Sequence, residues 1–264
     1  MIATRTAALG LSLLVLACSD NAPTPVADGA SAPSSALPAE AASTATAARV
    51  DAARLSNADA EPGQWMSTGR TYGEQHYSPL AQINRDNVGS LGLAWYADFN
   101  IPRGQESTPL VVDGVIYVTT AWSNVRAYDA ASGAPLWEFD AEVPREWGVR
   151  ACCDVVNRGA ALWNGKVYVG TIDGRLIALD AVTGSKLWES DTLISRDAAY
   201  SITGAPRVVK GKVIIGNGGA EYGVRGYVSA FDAETGALHW RFYTVPGNQV
   251  LGFENDAMAM AAET

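Results

Sequence analysis

Two adjacent cysteines, Cys152 and Cys153, are the residues whose types and spacing most directly suggest chemistry. A disulfide normally joins residues whose Cα atoms lie about 4.4–6.8 Å apart, whereas neighbouring residues lie only about 3.8 Å apart across a trans peptide. A bond between these two sulfurs would close a small, strained ring that is easier to reduce than an ordinary disulfide. Its use would be local, as a rigid, flat, apolar platform in a binding site. The alternative is a pair of unpaired thiols in a core strand.

Other common catalytic patterns are absent from the sequence. No residues have zinc-ligand spacing or the CxxCH pattern of haem attachment. His76 and His239 stand alone, so no catalytic triad can be argued from them. The net charge of -9 argues against nucleic acid as the main partner, because phosphate neutralisation needs a basic face. The same charge means that an anionic ligand would need locally placed cations.

The first 58 residues are predicted to form a leader and a tether. Residues 1–17 carry one arginine and an apolar run too short to span a bilayer, which is typical of an export signal. The signal ends in a segment similar to a bacterial lipobox, which predicts a lipidated Cys18 as a membrane tether. Ordinary cleavage without a lipid is the alternative. Residues 18–58 are rich in Ala, Ser, Pro and Thr and are predicted to be a disordered tether. Export places the rest of the chain in the oxidising periplasm.

A sequence repeat follows the tether and predicts the architecture. Ala-x-Asp-Ala-x-x-Gly begins at residues 127, 178 and 230 and is followed each time by a tryptophan. These tryptophans, Trp137, Trp188 and Trp240, are separated by 51 and 52 residues. A period near 50 in strand-rich units indicates a solenoid or a propeller. We expect each tryptophan to be buried between successive blades, with Trp95 in the same role in a preceding unit.

Two-residue turns within the units predict β-hairpins. Asp113-Gly114, Asn164-Gly165 and Lys210-Gly211 each separate two apolar runs. The predicted fold class is therefore all-β, a W-motif β-propeller. A blade takes about 45–50 residues and a propeller has about 4–8 blades, so residues 59–264 are expected to form an incomplete part of the ring. Residues 65–80 are expected to add a strand to a closing blade. We expect such a truncated ring to be unstable alone.

Three motifs occur in order within three repeats: Ala-Cys-Cys-Asp-Val-Val-Asn-Arg-Gly at 151–159, Thr-Gly-Ala-Pro at 203–206 and Gly-Gly-Ala-Glu at 218–221. Together they resemble the quinoprotein alcohol dehydrogenases that depend on pyrroloquinoline quinone (PQQ). The resemblance is closer to the ethanol-type and quinohaemoprotein members than to methanol dehydrogenases, and it runs from about Trp65 to the end of the sequence. It implies an eight-bladed propeller that binds PQQ and Ca²⁺, of which this chain is the N-terminal portion.

The resemblance implies that seven residues contact PQQ: Glu106, Cys152, Cys153, Arg158, Thr203, Gly219 and Ala220. PQQ is a planar tricarboxylated quinone, so a Cys-Cys ring would supply a stacking face and the guanidinium of Arg158 would pair with a carboxylate. Glu221 would be a metal ligand, because Ca²⁺ takes about six to eight hard oxygens. From the residues alone, Arg158 could instead form a surface ion pair, Glu106 could have no special role, and Glu221 could pair with Arg225.

The resemblance also implies the reaction. A small primary alcohol would be oxidised to an aldehyde, with a carboxylate base taking the hydroxyl proton while hydride passes to the quinone. Two electrons would then pass to a cytochrome c-type or quinone acceptor, through a haem c domain in part of the family. The base and the second metal ligand lie downstream of residue 264 in the family, so we assign no catalytic base and expect the chain alone to be inactive. The alternatives are a non-catalytic periplasmic lipoprotein scaffold, a lanthanide-dependent relative, and a sugar-type PQQ dehydrogenase, which generally lacks the cysteine pair.

Overall fold

The repeat seen in the sequence folds into three four-stranded antiparallel sheets. The structure, a computed structural model, describes residues 47–263. The predicted export signal, Cys18 and most of the predicted tether lie outside these residues. In each sheet the strands follow chain order. The first sheet contains β1 (Leu110–Val112), β2 (Val115–Thr119), β3 (Val125–Asp129) and β4 (Pro135–Phe139). The second contains β5 (Ala161–Trp163), β6 (Lys166–Gly170), β7 (Arg175–Asp180) and β8 (Lys186–Asp191). The third contains β9 (Arg207–Val209), β10 (Lys212–Gly216), β11 (Tyr227–Asp232) and β12 (Leu238–Tyr243). This arrangement confirms the all-β fold class.

The three predicted hairpin turns are present and set the strand register. Asp113 and Gly114 have φ angles of 53° and 80°, and the turns at 164–165 and 210–211 likewise have two positive φ values. Two successive left-handed residues form the type I′ turn, whose twist matches that of the flanking strands. Val112 therefore pairs with Val115, and the other two hairpins close in the same way.

The side chains of Trp137 and Trp188 join each sheet to the next, and Trp95 joins the segment before β1 to the first sheet, as predicted for these three. The Trp137 indole N–H donates to the Ala181 carbonyl at 3.0 Å, and Trp188 and Trp95 make the matching bonds to Ala233 and Ala130 at 3.2 and 3.1 Å. The glycine three residues after each acceptor has a φ angle of 72–73° and lies against the indole ring. The core between the sheets also holds the fully buried Tyr117, Tyr168 and Phe231.

The prediction for the fourth tryptophan is wrong in the described residues. Trp240 lies on β12, the outer strand of the third sheet, and is 41% exposed beside the exposed Leu238 and Phe242. None of the described residues forms a further sheet that could cover this face. The predicted strand over residues 65–80 is also wrong. Only Trp65 pairs, in an isolated bridge with Val111.

The folded part of the chain begins before residue 59, so the predicted end of the tether needs correction. A short helix, α1 (Ala52–Ser56), begins after Asp51, whose side chain accepts a hydrogen bond from the Arg54 N–H. Val50 and Leu55 are buried in the core, and the Val50 carbonyl accepts a bond from the Asn164 N–H at 2.8 Å. A composition average over the whole tether misses this segment, because two apolar side chains are enough to attach it to the hairpin turn of the second sheet.

A second helix, α2 (Asp256–Ala261), follows the third sheet. It begins after Asn255, whose side chain accepts a hydrogen bond from the Met258 N–H. Within residues 47–263, no helix has the length and apolar character needed to cross a membrane.

Candidate functional site

The strand directions place all the predicted site residues at one edge of the three sheets. Because neighbouring strands are antiparallel, the residues before a sheet's first strand lie at the same edge as the residues after its second strand. Glu106 precedes β1, Arg158 precedes β5 and Thr203 precedes β9. Cys152 lies in the connection from β4 to β5, and Glu221 lies in the connection from β10 to β11. Residues that are distant in sequence therefore share one edge.

Backbone bonds fix Arg158 between the two neighbouring sheets. Its N–H donates to the Thr203 carbonyl at 2.9 Å, and its own carbonyl accepts from the Thr108 N–H at 3.2 Å. The preceding Asn157 is 1% exposed, and its side-chain oxygen accepts from the Gly159 N–H at 3.0 Å. A buried amide of this kind must find partners, so it holds the chain in one conformation around Arg158.

The side chain of Arg158 links two other predicted site residues. Its guanidinium lies 2.7 Å from the Glu106 carboxylate and donates to the Thr203 hydroxyl at 2.6 Å. Both charged side chains stay 42–43% exposed. The surface ion pair considered for Arg158 therefore exists, and its partner is itself a predicted cofactor contact. An arginine has five N–H donors, so this guanidinium can also bind a ligand carboxylate.

The cysteines form a second group with the predicted metal ligand. Cys152 and Cys153 are free, exposed thiols. This differs from the predicted disulfide and also from the alternative of thiols buried in a core strand. Hydrogen bonds to Cys153 and to the Glu221 carboxylate raise the pKa of Cys152 to about 12. The Glu221 pKa is lowered by a bond from its own backbone N–H and by the Cys152 thiol. The Cys152 thiol and the Glu221 carboxylate therefore lie close together, although they are 69 positions apart in the sequence.

The loop that carries Glu221 depends on a glycine. Gly219 has a φ angle of 108°, and a Cβ there would lie 2.2 Å from the Ala199 carbonyl oxygen. A short 3-10 turn, Ala220–Tyr222, follows it with Ala220 exposed. The Gly218 N–H donates to the Ser201 carbonyl at 2.7 Å, which holds the loop against the segment leading to Thr203. These contacts fix Gly219 and Ala220 within the loop. Among the described contacts, none links either residue to Arg158, Glu106 or Thr203.

The alternative role for Glu221 is wrong in this structure. The Arg225 guanidinium pairs with Glu254, with its two contacts at 2.5 and 2.9 Å, and not with Glu221. This pair lowers the pKa of Glu254 to about 2. Glu221 is exposed and keeps its carboxylate available at the edge of the sheets.

The residues present fit part of a metal site and part of a quinone site. Among residues 47–263 there is no cluster of three or more His, Cys, Asp and Glu side chains that could hold a metal ion alone. Glu221 could supply one carboxylate to a Ca²⁺ ion, whose other oxygens would have to come from the cofactor and from further residues. The exposed Arg158 guanidinium and Thr203 hydroxyl fit the carboxylate edge of a planar anion. Arg158, Thr203 and Glu221 are therefore the groups at this edge whose chemistry fits such ligands.

Sequence reasoning assigned no role to Asp154 and Arg103, which form an ion pair next to the cysteines. The two residues are 51 positions apart, so no local pattern connects them. The position of Asp154 directly after the cysteine pair is the one signal that could have found it.

Comparison with known proteins defines the class to which this fold and site belong. Residues 65–262 match the family described as "PQQ: Glucose/ethanol/alcohol dehydrogenase, beta-propeller domain". The chain belongs to this family.

Individual relatives give the same result. Over 222 residues, the chain is 60% identical to the quinohemoprotein alcohol dehydrogenase ADH IIB of Pseudomonas putida, a match that covers 83% of this chain and 32% of that protein. It is also 60% identical over 195 residues to the dehydrogenase subunit of the alcohol dehydrogenase (quinone) of Gluconacetobacter polyoxogenes, covering 72% of this chain and 26% of the relative. The crystal structure of the quinohemoprotein alcohol dehydrogenase from Comamonas testosteroni matches with a TM-score of 0.81 and 52% identity, over 84% of this chain and 33% of that one. The chain thus spans about a third or less of each of these proteins.

Proposed function

We propose that the complete protein is a periplasmic dehydrogenase that uses PQQ and Ca²⁺ to oxidise small primary alcohols to aldehydes. The observation that carries this proposal is the contact of Arg158 with both Glu106 and Thr203, at the sheet edge that also holds Cys152 and Glu221. Family membership and the named activities of the relatives support the redox class. A non-catalytic scaffold gives no reason for an exposed thiol, carboxylate and guanidinium at one edge.

The residues of this chain would bind and orient the cofactor. Arg158 would pair with a PQQ carboxylate and Thr203 would donate to a PQQ oxygen, while Glu106 would fix the guanidinium from its other side. When bound, PQQ supplies two-electron redox chemistry and Ca²⁺ supplies a Lewis acid. Glu221 would hold the metal by one carboxylate. We assign the base that removes the alcohol proton to none of the residues of this chain.

The state of the cysteines forms part of the proposal. We propose that Cys152 and Cys153 form a disulfide in the oxidising periplasm and that the resulting ring is one face of the cofactor site. Disulfide formation would pass two electrons to an oxidant of the periplasm and release both thiol protons, so Cys152 could no longer donate to Glu221 and that carboxylate would be free for the metal. Thiol titration of the protein purified without reductant, before and after reduction, checks this step.

The location and partners are proposed from the sequence and from the named relatives. The signal-like segment supports export to the periplasm, and Cys18 supports a lipid tether. The relatives named as a quinohemoprotein and as an alcohol dehydrogenase (quinone) support electron transfer through haem to a cytochrome c-type or quinone acceptor.

The test is reconstitution of the complete protein in its apo form. Dye-linked oxidation of 1-propanol and 1-butanol is measured with and without PQQ, and with Ca²⁺, a lanthanide or no metal, with glucose as the control substrate. We expect alcohol oxidation that needs both PQQ and Ca²⁺, and little oxidation of glucose. Activity with the lanthanide alone would assign the protein to the lanthanide-dependent relatives. No response to PQQ with any alcohol would overturn the proposal.

A further inference from the structure

The carboxylate of Asp154 connects the cysteine turn to a segment 50 residues earlier. Its Oδ1 accepts from the Arg103 Nε–H at 2.8 Å and also contacts the Arg103 Nη2. Its Oδ2 accepts from the Gly104 backbone N–H at 3.2 Å. The Arg103 guanidinium holds the pKa of Asp154 well below its usual range, so the carboxylate stays charged in these contacts. The carboxylate of Asp154 thus accepts all three of these contacts from Arg103 and Gly104.

The backbone of Asp154 has an unusual conformation. Its φ angle is 69°, in the left-handed region that residues other than glycine seldom adopt. An isolated β-bridge joins Asp154 to Cys152, so the two thiols lie inside the same tight turn. Strained residues of this kind persist when their surroundings hold them, and they are concentrated at functional sites. The contacts to Arg103 and Gly104 are what hold this one.

The segment that Asp154 contacts lies next to Glu106 and Arg158, two of the proposed cofactor contacts. Gly104 is two residues before Glu106, whose carboxylate pairs with Arg158 at 2.7 Å. A Cβ at Gly104 would lie 3.0 Å from a methyl group of Val156, so the two segments approach as closely as glycine allows. Any shift of Asp154 relative to Gly104 therefore changes the position of the thiols relative to Glu106.

A tryptophan supports the same link from the opposite side. The Arg103 guanidinium lies 5.8 Å from the ring centre of Trp122. The backbone N–H of Trp122 donates to the carbonyl of Val155, the residue after Asp154, at 2.8 Å. Arg103 thus contacts the Asp154 carboxylate and lies near the ring of a tryptophan whose backbone is bonded to the residue after Asp154.

We propose that Asp154 is a positioning residue, which acts through Arg103 and the Gly104 N–H to set the Cys152–Cys153 turn at a fixed distance from Glu106. This inference rests on the proposed function, because the distance matters when a planar cofactor lies on the turn and reaches Arg158. Asp154 touches no reacting atom in this account. Its effect is on cofactor affinity and on the exposure of the thiols.

The test uses the complete protein with two substitutions at this position. Asp154→Gly removes the carboxylate while tolerating the positive φ angle, and Asp154→Asn keeps an acceptor oxygen without the charge. We expect the Kd for PQQ, measured by tryptophan fluorescence, to rise about tenfold in Asp154→Gly, because the turn that carries the cysteines loses the carboxylate that holds it, and to rise less in Asp154→Asn. A second measurement needs no cofactor. After reduction, an uncharged maleimide should label the peptide containing Cys152 and Cys153 faster in Asp154→Gly.

Asp191→Asn is the matched control. The Asp191 carboxylate accepts from an arginine Nε–H, that of Arg196, at 2.8 Å and from a backbone N–H, that of Leu193, at 3.0 Å. We expect this variant to match the wild type in both measurements. Equal Kd values and equal labelling rates for Asp154→Gly and wild type would overturn the inference. If Asp154→Gly does not fold, Asp154→Asn decides by the same two measurements. If the wild type itself does not bind PQQ, the proposed function fails and the labelling rates alone decide the role of Asp154.

Discussion

Glu221 is an exposed carboxylate whose partner in this structure is a thiol rather than a cation. The only described arginine in its loop, Arg225, is engaged by Glu254. A carboxylate without a cationic partner at the edge of a binding site is suited to hold a divalent metal. The Cys152 thiol can donate to that carboxylate only while the cysteines are reduced.

Replacing Glu221 with glutamine should weaken metal binding. In the complete protein, Glu221→Gln removes a charged oxygen ligand, and we expect the Kd for Ca²⁺ in the presence of PQQ to rise at least about tenfold. Isothermal titration with Ca²⁺ measures this. Glu234→Gln is the control, since it removes an exposed carboxylate that pairs with Lys166 in the turn after β11 and makes no contact with Arg225. An unchanged Ca²⁺ affinity in Glu221→Gln would remove this residue from the metal site.

The sequence motifs anticipated some of these side-chain contacts and not others. Arg158, Glu106 and Thr203 were predicted together because a resemblance joined them, and the structure brings them into contact. The pairing of Arg103 with Asp154 could not be predicted, because it depends on how the first sheet is placed against the β4–β5 connection. The pairing of Arg225 with Glu254, 29 residues later, could not be predicted either, because it too depends on the tertiary fold. From the sequence alone, Glu221, four residues earlier, is an equally good partner.

At the level of elements, each contact between neighbouring sheets packs one tryptophan against one glycine. The indole of Trp137 lies against Gly184, where a Cβ would be only 2.6 Å from the ring. The same tryptophan donates its N–H to Ala181, three residues before that glycine. The turn between β7 and β8 therefore serves the neighbouring sheet as well as its own hairpin.

Substitution of these glycines should separate backbone strain from packing. Gly184 and Gly211 have φ angles of 73° and 69°, so alanine is strained to a similar degree at both. Only at Gly184 would the added methyl group meet an indole, while at Gly211 it meets nothing within 4 Å. We expect Gly211→Ala to cost about 1 kcal/mol of unfolding free energy, and Gly184→Ala to cost about 1–3 kcal/mol more from overpacking. Urea unfolding of the complete protein measures the difference. Equal losses would show that the tryptophan contact contributes nothing.

The elements were predictable where a local rule determines them. Asn164-Gly165 and Asp113-Gly114 specify their turns through two residues alone, and both turns formed as expected. Trp240 carries the same local pattern as Trp188, yet it is exposed because burial depends on a neighbouring sheet rather than on the pattern. The prediction for the segment at Val50 was wrong in the opposite direction. Its few apolar residues are buried in the core because a hairpin turn lies beside them.

At the level of the whole molecule, the three sheets collect distant loops at one edge. The chain carries a net charge of -9, so its overall field opposes the approach of a tricarboxylate such as PQQ. Binding must then depend on a cation placed at the site itself. In the residues that the structure describes, Arg158 is the guanidinium that contacts both Glu106 and Thr203. We therefore expect Arg158 to bind the anionic edge of the cofactor.

Titration of PQQ into the complete protein measures the contribution of Arg158 to cofactor binding. Arg158→Gln removes a charge-assisted bond worth about 1.5–3 kcal/mol, so the Kd for PQQ should rise at least about tenfold. Arg196→Gln removes an exposed arginine whose partner is Asp191, and it should leave the Kd unchanged. A Kd for Arg158→Gln equal to that of Arg196→Gln and of the wild type would show that Arg158 does not bind the cofactor.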